Sequence, residues 1–250
     1  MSKKYIDIMD TTFRDGFQSV FGGRVLMKDF FPAVEAAKEA GITHFEFGGG
    51  ARFQSLFFYL QENAFEMMDK FREIVGPDAN LQTLARGINT VMLDTGSREL
   101  IDLHAKMFAK HGTTTIRNFD ALNDVRNMKQ TIKVAKDQGA HVQGTISYTL
   151  SPVHTLDDFV DLAKELEALD CDSVSIKDMA GLITPAAAYE LVTKLKEETD
   201  LLVNLHCHCT SGMTPISYYV ACEAGVDVLD TAISPLSWGT SQPPTESIVA

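Results

Sequence analysis

The sequence predicts a single (β/α)8 (TIM) barrel, and three observations carry that expectation. Eight short apolar runs have strand character, helical patterns lie between them, and the units recur at roughly 30-residue spacing. Strands are expected over residues 5–10, 43–47, 80–86, 113–118, 141–148, 173–177, 202–206 and 226–231. The intervening segments FFPAVEAAKEAG, FVDLAKELEAL and AAAYELVTKLKEET place apolar residues three to four apart, as a helix with one buried face requires. No linker or low-complexity stretch interrupts the alternation, so residues 1–250 read as one domain. The eighth helix, expected to begin near Pro244 with TESIVA, is truncated at Ala250. A barrel without its last helix keeps an apolar groove, so the chain is expected to be a fragment of a longer protein, or to have that groove filled by another segment.

At 250 residues, with 45% hydrophobic and 22% charged residues, the chain has an ordinary globular composition and can bury a large core. Its net charge of -12 excludes the basic face that a polyphosphate demands, so no nucleic-acid partner is expected. No segment reads as a signal peptide and none is long and apolar enough to span a bilayer, so the default is a cytoplasmic protein without direct membrane insertion. Cys171, Cys207, Cys209 and Cys222 include no CxxC pair and are expected to be free thiols.

Barrel enzymes place their chemistry at the C-terminal ends of the strands, which gives a filter independent of any motif. Strand 1 runs into TTFRDGFQ, with Arg14, Asp15 and Gln18. Strand 2 carries Glu46 and leads to GGGARFQ, and strand 3 ends in Arg86. Strand 4 ends in RNFDALND, strand 5 in Tyr148 with SPVH after it, and strand 6 in Lys177-Asp178. Strand 7 ends in LHCHCT and strand 8 leads to GTSQP. His206 and His208 are two apart at a strand end, so both imidazoles face one place, while Cys207 and Cys209 should point away. Two imidazoles, a carboxylate and a lysine at one mouth can hold a divalent cation if the lysine is carbamylated, since an ammonium cannot ligate. Singly, each has a plainer reading. Arg14 and Asp15 can be a local ion pair, Lys177 and Asp178 a solvated pair, and Gly48 to Gly50 a mere turn. Their coincidence on one rim favours a site. Arg86 adds a guanidinium suited to bidentate recognition of a carboxylate.

The segments TTFRDGFQS, LARG, IRNFDALNDVRN, QGTISYTLSPVHT, SIKDMAGLITP, LHCHCTSGM, DTAIS and GTSQP occur in order over nearly the whole chain. Together they resemble the biotin-dependent carboxyltransferase family, which includes the carboxyltransferase domain of pyruvate carboxylase, the α subunit of oxaloacetate decarboxylase and the oxaloacetate-handling subunit of transcarboxylase. The resemblance implies an enzyme that moves a carboxyl group between biotin and a 2-oxo acid, pyruvate or oxaloacetate, through an enolate. It implies metal ligation by Asp15, Lys177 as its carbamate, His206 and His208. Gln18, Arg86 and Arg14 would contact the substrate, and Thr240 would shuttle a proton. The donor set suits Zn, Mn or Co. The implied partners are the 2-oxo acid, a biotin carrier on a separate domain or subunit, and further copies of the chain in a homo-oligomer.

The chain departs from the family pattern where RDAHQ becomes RDGFQ and ECWGGATFD becomes EFGGGARFQ, and Leu93 stands where a biotin-facing tyrosine is usual. Phe17, Gly48, Arg52, Gln54 and Leu93 are therefore expected to form one altered outer wall of the pocket, with Arg52 offering a cation to a second substrate carboxylate and biotin use weakened. Two other readings are a metal-dependent acyl-CoA lyase or aldol/Claisen-type synthase, suggested by RDGFQ, and a non-catalytic assembly subunit. Lys177 in KDMAGL and the FDALND and SPVH segments speak against the first, and the intact donor set against the second.

Overall fold

The computed structural model describes residues 5–250, and its eight parallel strands close into a barrel in sequence order. The strands are β1 (Asp7–Asp10), β2 (His44–Gly49), β3 (Asn80–Ala85), β4 (Thr115–Asn118), β5 (His141–Ser147), β6 (Ser173–Asp178), β7 (Leu202–Cys207) and β8 (Val228–Thr231). Each falls within or within two residues of an expected run, and β1 pairs with β8 to close the ring. The helices are α1 (Phe17–Phe21), α2 (Met27–Glu39), α3 (Gly50–Ser55), α4 (Ala64–Val75), α5 (Arg98–Lys110), α6 (Lys129–Asp137), α7 (Leu156–Ala168), α8 (Pro185–Glu198), α9 (Thr214–Ala224) and α10 (Thr245–Val249).

Local chemistry starts several of these helices. Asn63, Ser97 and Thr184 accept backbone N–H bonds at the starts of α4, α5 and α8, and Thr155 with Asp158 forms a reciprocal capping box on α7. The apolar core lies between strands and helices in two parts. One is aliphatic, built on β4 to β8 and α6 to α9. The other is rich in Phe and Met, where Phe13, Phe17, Phe30, Phe45 and Phe71 pack together between β1, β2 and their helices. Outward strand positions such as Phe45, Ile116, Val174 and Leu205 feed these clusters. The alternate positions point into the barrel and are polar: Glu46, Gln82, Arg117, Gln143, Ser175, Asn204 and Asp230 are all buried there.

Two helical pieces at the mouth were not expected from the sequence. A wide turn over Thr12–Gly16 runs directly into α1, and α3 follows β2 without a loop. Phe13 and Phe17 drive the first, since both rings are buried against Phe30. Beside α10 lies an open hollow of about 410 Å³ lined by Ile6, Ile8, Cys222, Leu229, Ile248 and Val249.

His104 on α5 makes the core sensitive to acid. Its ring packs 4.1 Å from Phe108, neither nitrogen finds a partner among the described residues, and burial pushes its pKa down to about 4. In the unfolded chain the imidazole takes a proton near its ordinary ~6.5, whereas the folded one stays neutral until about 4. Between those values the unfolded state binds more protons, so stability falls as pH falls. This group alone should account for about 2 kcal/mol of lost stability between about pH 7 and pH 5. Urea unfolding at both pH values should show that loss shrinking in His104→Leu, and an equal loss in the variant would disprove the assignment.

Candidate metal centre and substrate cleft

Strand register sets the site. Lys177 lies directly beside His206 in the β6–β7 pairing, and both point inward. His208 follows two residues on, at the mouth. Asp15 arrives from the Thr12–Gly16 turn, whose backbone closes from Gly16 N–H back to Thr11 O at 3.0 Å. Behind His208 the β6 loop passes so closely that a Cβ on Gly181 (φ +68°) would fall 2.5 Å from the His208 carbonyl oxygen, so only glycine fits there.

The tautomers follow from the acceptors that the imidazoles face. His206 Nδ1 lies 2.6 Å from Asp230 Oδ2, and His208 Nδ1 donates to the Thr240 carbonyl. Both acceptors take a proton, so each Nδ1 carries one and each Nε2 presents a lone pair. Those two Nε2 atoms are 3.3 Å apart, and Asp15 Oδ2 lies 3.1 Å from the first and 3.5 Å from the second. Three electron-pair donors therefore converge within a few ångströms. Bonds of about 2.0–2.1 Å at octahedral or tetrahedral angles separate ligand atoms by roughly 2.8–3.4 Å, so the residues fit a divalent cation. Lys177 Nζ approaches from the side, 3.0 Å from His206 Nε2 and 3.8 Å from Asp15 Oδ2.

A buried charge network fixes these groups. Burial alone would raise the Asp15 carboxyl, but Arg14, then His208 and His206, hold it well below the usual carboxylate range. Arg14 also pairs with Glu46 at 2.8 Å. Arg117, fully buried, pairs with Asp230 at 2.5 Å and donates to Gln143 and Asn204. Burial would raise the Asp230 carboxyl too, yet Arg117 and His206 keep it far below its ordinary value. Lys177 lies among these charges, and burial pushes its pKa down to about 8, so neutral amine is accessible near neutrality.

A cleft of about 250 Å³ opens above the donors, lined by Arg14, Asp15, Gln18, Arg86, Lys177 and His208 together with Leu84, Phe119 and Met179. Arg86 is half-buried and is steadied by the Val91 and Met92 carbonyls, whereas Arg14 and Arg117 are already neutralised by carboxylates. Thr240 sits outside the cleft lining, exposed at the rim, with its hydroxyl donating to Ser19 O at 3.1 Å. Another hollow of about 410 Å³ lies at the opposite, N-terminal end of the barrel, lined by residues including Asp7, His44 and His141. Sequence reading missed Arg117, Asp230 and Gln242. For the first two the signal was present, a charged residue at an inward position between apolar neighbours such as Ile116 and Leu229.

The expected outer wall does not form. Arg52 is fully buried, donates to the Gly23 and Val25 carbonyls and lies over the rings of Phe17 and Phe30, so it offers nothing to a substrate. Phe17 belongs to the aromatic core, Gly48 faces Thr83, Met67 and Met68, and Leu93 is 85% exposed. None of the five, Gln54 included, lines the cleft. The Phe17 and Arg52 replacements are partners in one packing unit, an aromatic pair with a cation across its faces.

A closed (β/α)8 barrel carries at its C-terminal mouth a carboxylate and two imidazoles close enough together to hold a divalent cation. The chain belongs to the HMGL-like family, whose profile matches residues 5–249. It is 55% identical over 247 residues to a pyruvate carboxylase subunit of Methanothermobacter thermautotrophicus, covering 99% of this chain and 43% of that protein. It is 40% identical to the methylmalonyl-CoA carboxyltransferase 5S subunit of Propionibacterium freudenreichii subsp. shermanii, covering 97% of this chain and 48% of that one. The carboxyl transferase domain of Rhizobium etli pyruvate carboxylase, solved with pyruvate, superposes with a TM-score of 0.95 at 34% identity, over 99% of this chain and 43% of that one. The chain thus spans less than half the length of these relatives. Among the described residues no helix is long and apolar enough to cross a membrane.

Proposed function

We propose that this chain transfers a carboxyl group between a biotin ureido nitrogen and the methyl carbon of a 2-oxo acid, with pyruvate and oxaloacetate as the pair. The observation that carries the reading is the convergence of three electron-pair donors beneath a cleft whose uncommitted cation is Arg86. Asp15, His206, His208 and the carbamate of Lys177 would hold a divalent metal, Zn, Mn or Co by donor chemistry. When bound, that metal supplies Lewis-acid stabilisation of the negative charge that develops on the substrate keto oxygen.

The chain's own residues do the rest. Arg86 receives the substrate carboxylate through its guanidinium, which is oriented by the bonds that Nη1 donates to the Val91 and Met92 carbonyls. Gln18, 3.5 Å from Arg14 and beside Gly50, directs its carboxamide to the keto acid. Arg14 lines the cleft while holding Asp15 ionised, which keeps that carboxylate a ligand across the physiological range. Thr240, on the rim, carries a proton between the substrate methyl and the ureido nitrogen; a hydroxyl is too weak an acid to work except by direct transfer between positioned partners. A small cleft with one uncommitted guanidinium supports pyruvate as the carboxyl acceptor over a longer 2-oxo acid that already carries a second carboxylate. The names of the relatives support carboxyl transfer over acyl-CoA lyase or synthase chemistry. A biotin carrier on a separate domain or subunit, self-association, and a cytoplasmic setting in keeping with four free thiols belong to the same proposal.

The test is metal-loaded protein incubated with oxaloacetate, with and without free biotin, while pyruvate is followed. Biotin-stimulated release is expected, and no release in either arm overturns the reading. Thr240→Ala should abolish the biotin-dependent release while metal content and melting temperature stay at wild-type values, because a shuttle acts in the transition state. Activity kept with a lowered melting temperature would make Thr240 a turn residue instead.

A further inference from the structure

Gln18 and Ser19, which line the cleft, ride on α1, a helix of five residues. Ser19 also ties two parts of the site together, since its hydroxyl donates to Asp15 Oδ1 at 3.0 Å and its carbonyl accepts from the Thr240 hydroxyl. A helix this short cannot hold its own geometry, so its placement comes from what packs on it. Arg52 of α3 meets it at both ends. The guanidinium lies 5.2 Å from the ring centre of Phe17, the first residue of α1, while its Nη1 donates to the Gly23 carbonyl just beyond the last. Nη2 donates to Val25 O at 2.8 Å, and Ser55 Oγ, one turn further along α3, donates to Gly22 O at 3.2 Å. The approach is close: a Cβ on Gly23 (φ +73°) would fall 3.1 Å from Ser55 Cβ.

Packing alone does not explain this arrangement. Arg52 is fully buried, its Nε has no partner, and no carboxylate lies within ion-pair distance of it among the described residues. Two carbonyls and the ring faces of Phe17 and Phe30 stand in for its water. Burial pushes its pKa down to about 10, so the group is still a cation at neutral pH. An apolar side chain would fill the same space without desolvating a charge. What a forked donor adds is a fixed spacing between α3 and two carbonyls of the turn that follows α1. Resting on the reading of Gln18 and Thr240 above, we infer that Arg52 is a positioning residue: by clamping Phe17, Gly23 and Val25 it sets where α1 lies, and thereby where Gln18 meets the keto acid and where the Ser19 carbonyl holds the Thr240 hydroxyl.

Two readouts on Co2+-saturated protein test this: pyruvate binding by calorimetry, and biotin-dependent release of pyruvate from oxaloacetate. Arg52→Met keeps most of the packing volume and removes the fork. It should weaken pyruvate binding about threefold to tenfold through Gln18, and lower turnover about tenfold or more through Thr240. The deciding measurement is a double-mutant cycle. In a Gln18→Ala background Arg52→Met should weaken pyruvate no further, because the contact it positions is already gone. Arg52→Lys, with one donor head in place of a fork, should fall between wild type and the Met variant. Wild-type affinity and turnover in Arg52→Met, an equal loss of affinity with and without Gln18, or a Lys variant weaker than the Met variant overturns the inference and leaves Arg52 a packing residue. Should Arg52→Met not fold, the same cycle with Ser55→Ala, which removes only the bond to Gly22 O, decides in its place. Wild-type protein that neither binds pyruvate nor releases it from oxaloacetate overturns the reading of the cleft on which the inference rests, an outcome distinct from a clamp without effect.

Discussion

Lys177→Ala is expected to empty the metal centre and abolish carboxyl transfer. The amine lies 3.0 Å from His206 Nε2 and 3.8 Å from Asp15, too close to the donors to be a bystander, yet an ammonium cannot ligate. Reaction of the neutral amine with CO2 forms an N–C bond, releases one proton to solvent and leaves an anionic oxygen donor on the same stem. Burial that pushes the amine down to about 8 makes the neutral form available for that step. Removing the side chain takes away one donor and its charge, so affinity for the metal should drop at least about a hundredfold. Metal content after dialysis, measured beside the melting temperature, checks this. In the metal-loaded wild-type protein Lys177 should carry an added carboxyl group in the electron density. Full metal occupancy with a bare lysine turned away, or wild-type metal content in the alanine variant, would disprove it.

The eight strands were legible because each is a short apolar run at regular spacing. Their ends were less so, since residues such as Thr113 and Thr114 share the composition of the strand that follows them. The donor set was legible for a different reason. Parity in a strand is strict, so an HxH at the end of β7 must present both rings to one side, and the barrel rule says which end matters. Composition could not say which polar residues beyond β2 face the cleft. Arg52 reads as a surface cation until Phe17, Phe30 and two loop carbonyls are seen to enclose it, and only the path of the chain through α1 and α3 brings those groups together. Gln242 was hidden for the same reason: a glutamine in a GTSQPP loop gives no sign that it reaches 3.4 Å from two histidines.

Arg117 and Asp230 were hidden by expectation rather than by lack of signal, because barrel interiors are usually filled by branched aliphatic side chains. In this barrel the centre is a polar column, with Arg117 between Glu46 and Asp230 and Asp230 in turn holding His206 Nδ1. Arg117→Leu should therefore cost about 3–5 kcal/mol of stability, since it leaves buried carboxylates without their main counter-ion rather than replacing a whole ion pair by apolar groups. Glu46 keeps Arg14 at 2.8 Å and Asp230 keeps Asn204 at 2.7 Å, so the Asp230 side, where the closest pairing is lost, should suffer most. Combining Arg117→Leu with Asp230→Leu should then recover part of the loss in denaturant unfolding, because the orphaned carboxylate goes as well. Metal affinity should not recover with it, because His206 has lost the acceptor that fixes its tautomer. A single variant as stable as wild type would mean that the column tolerates its carboxylates without the guanidinium, and that Arg117 fills space in the barrel rather than setting its charge.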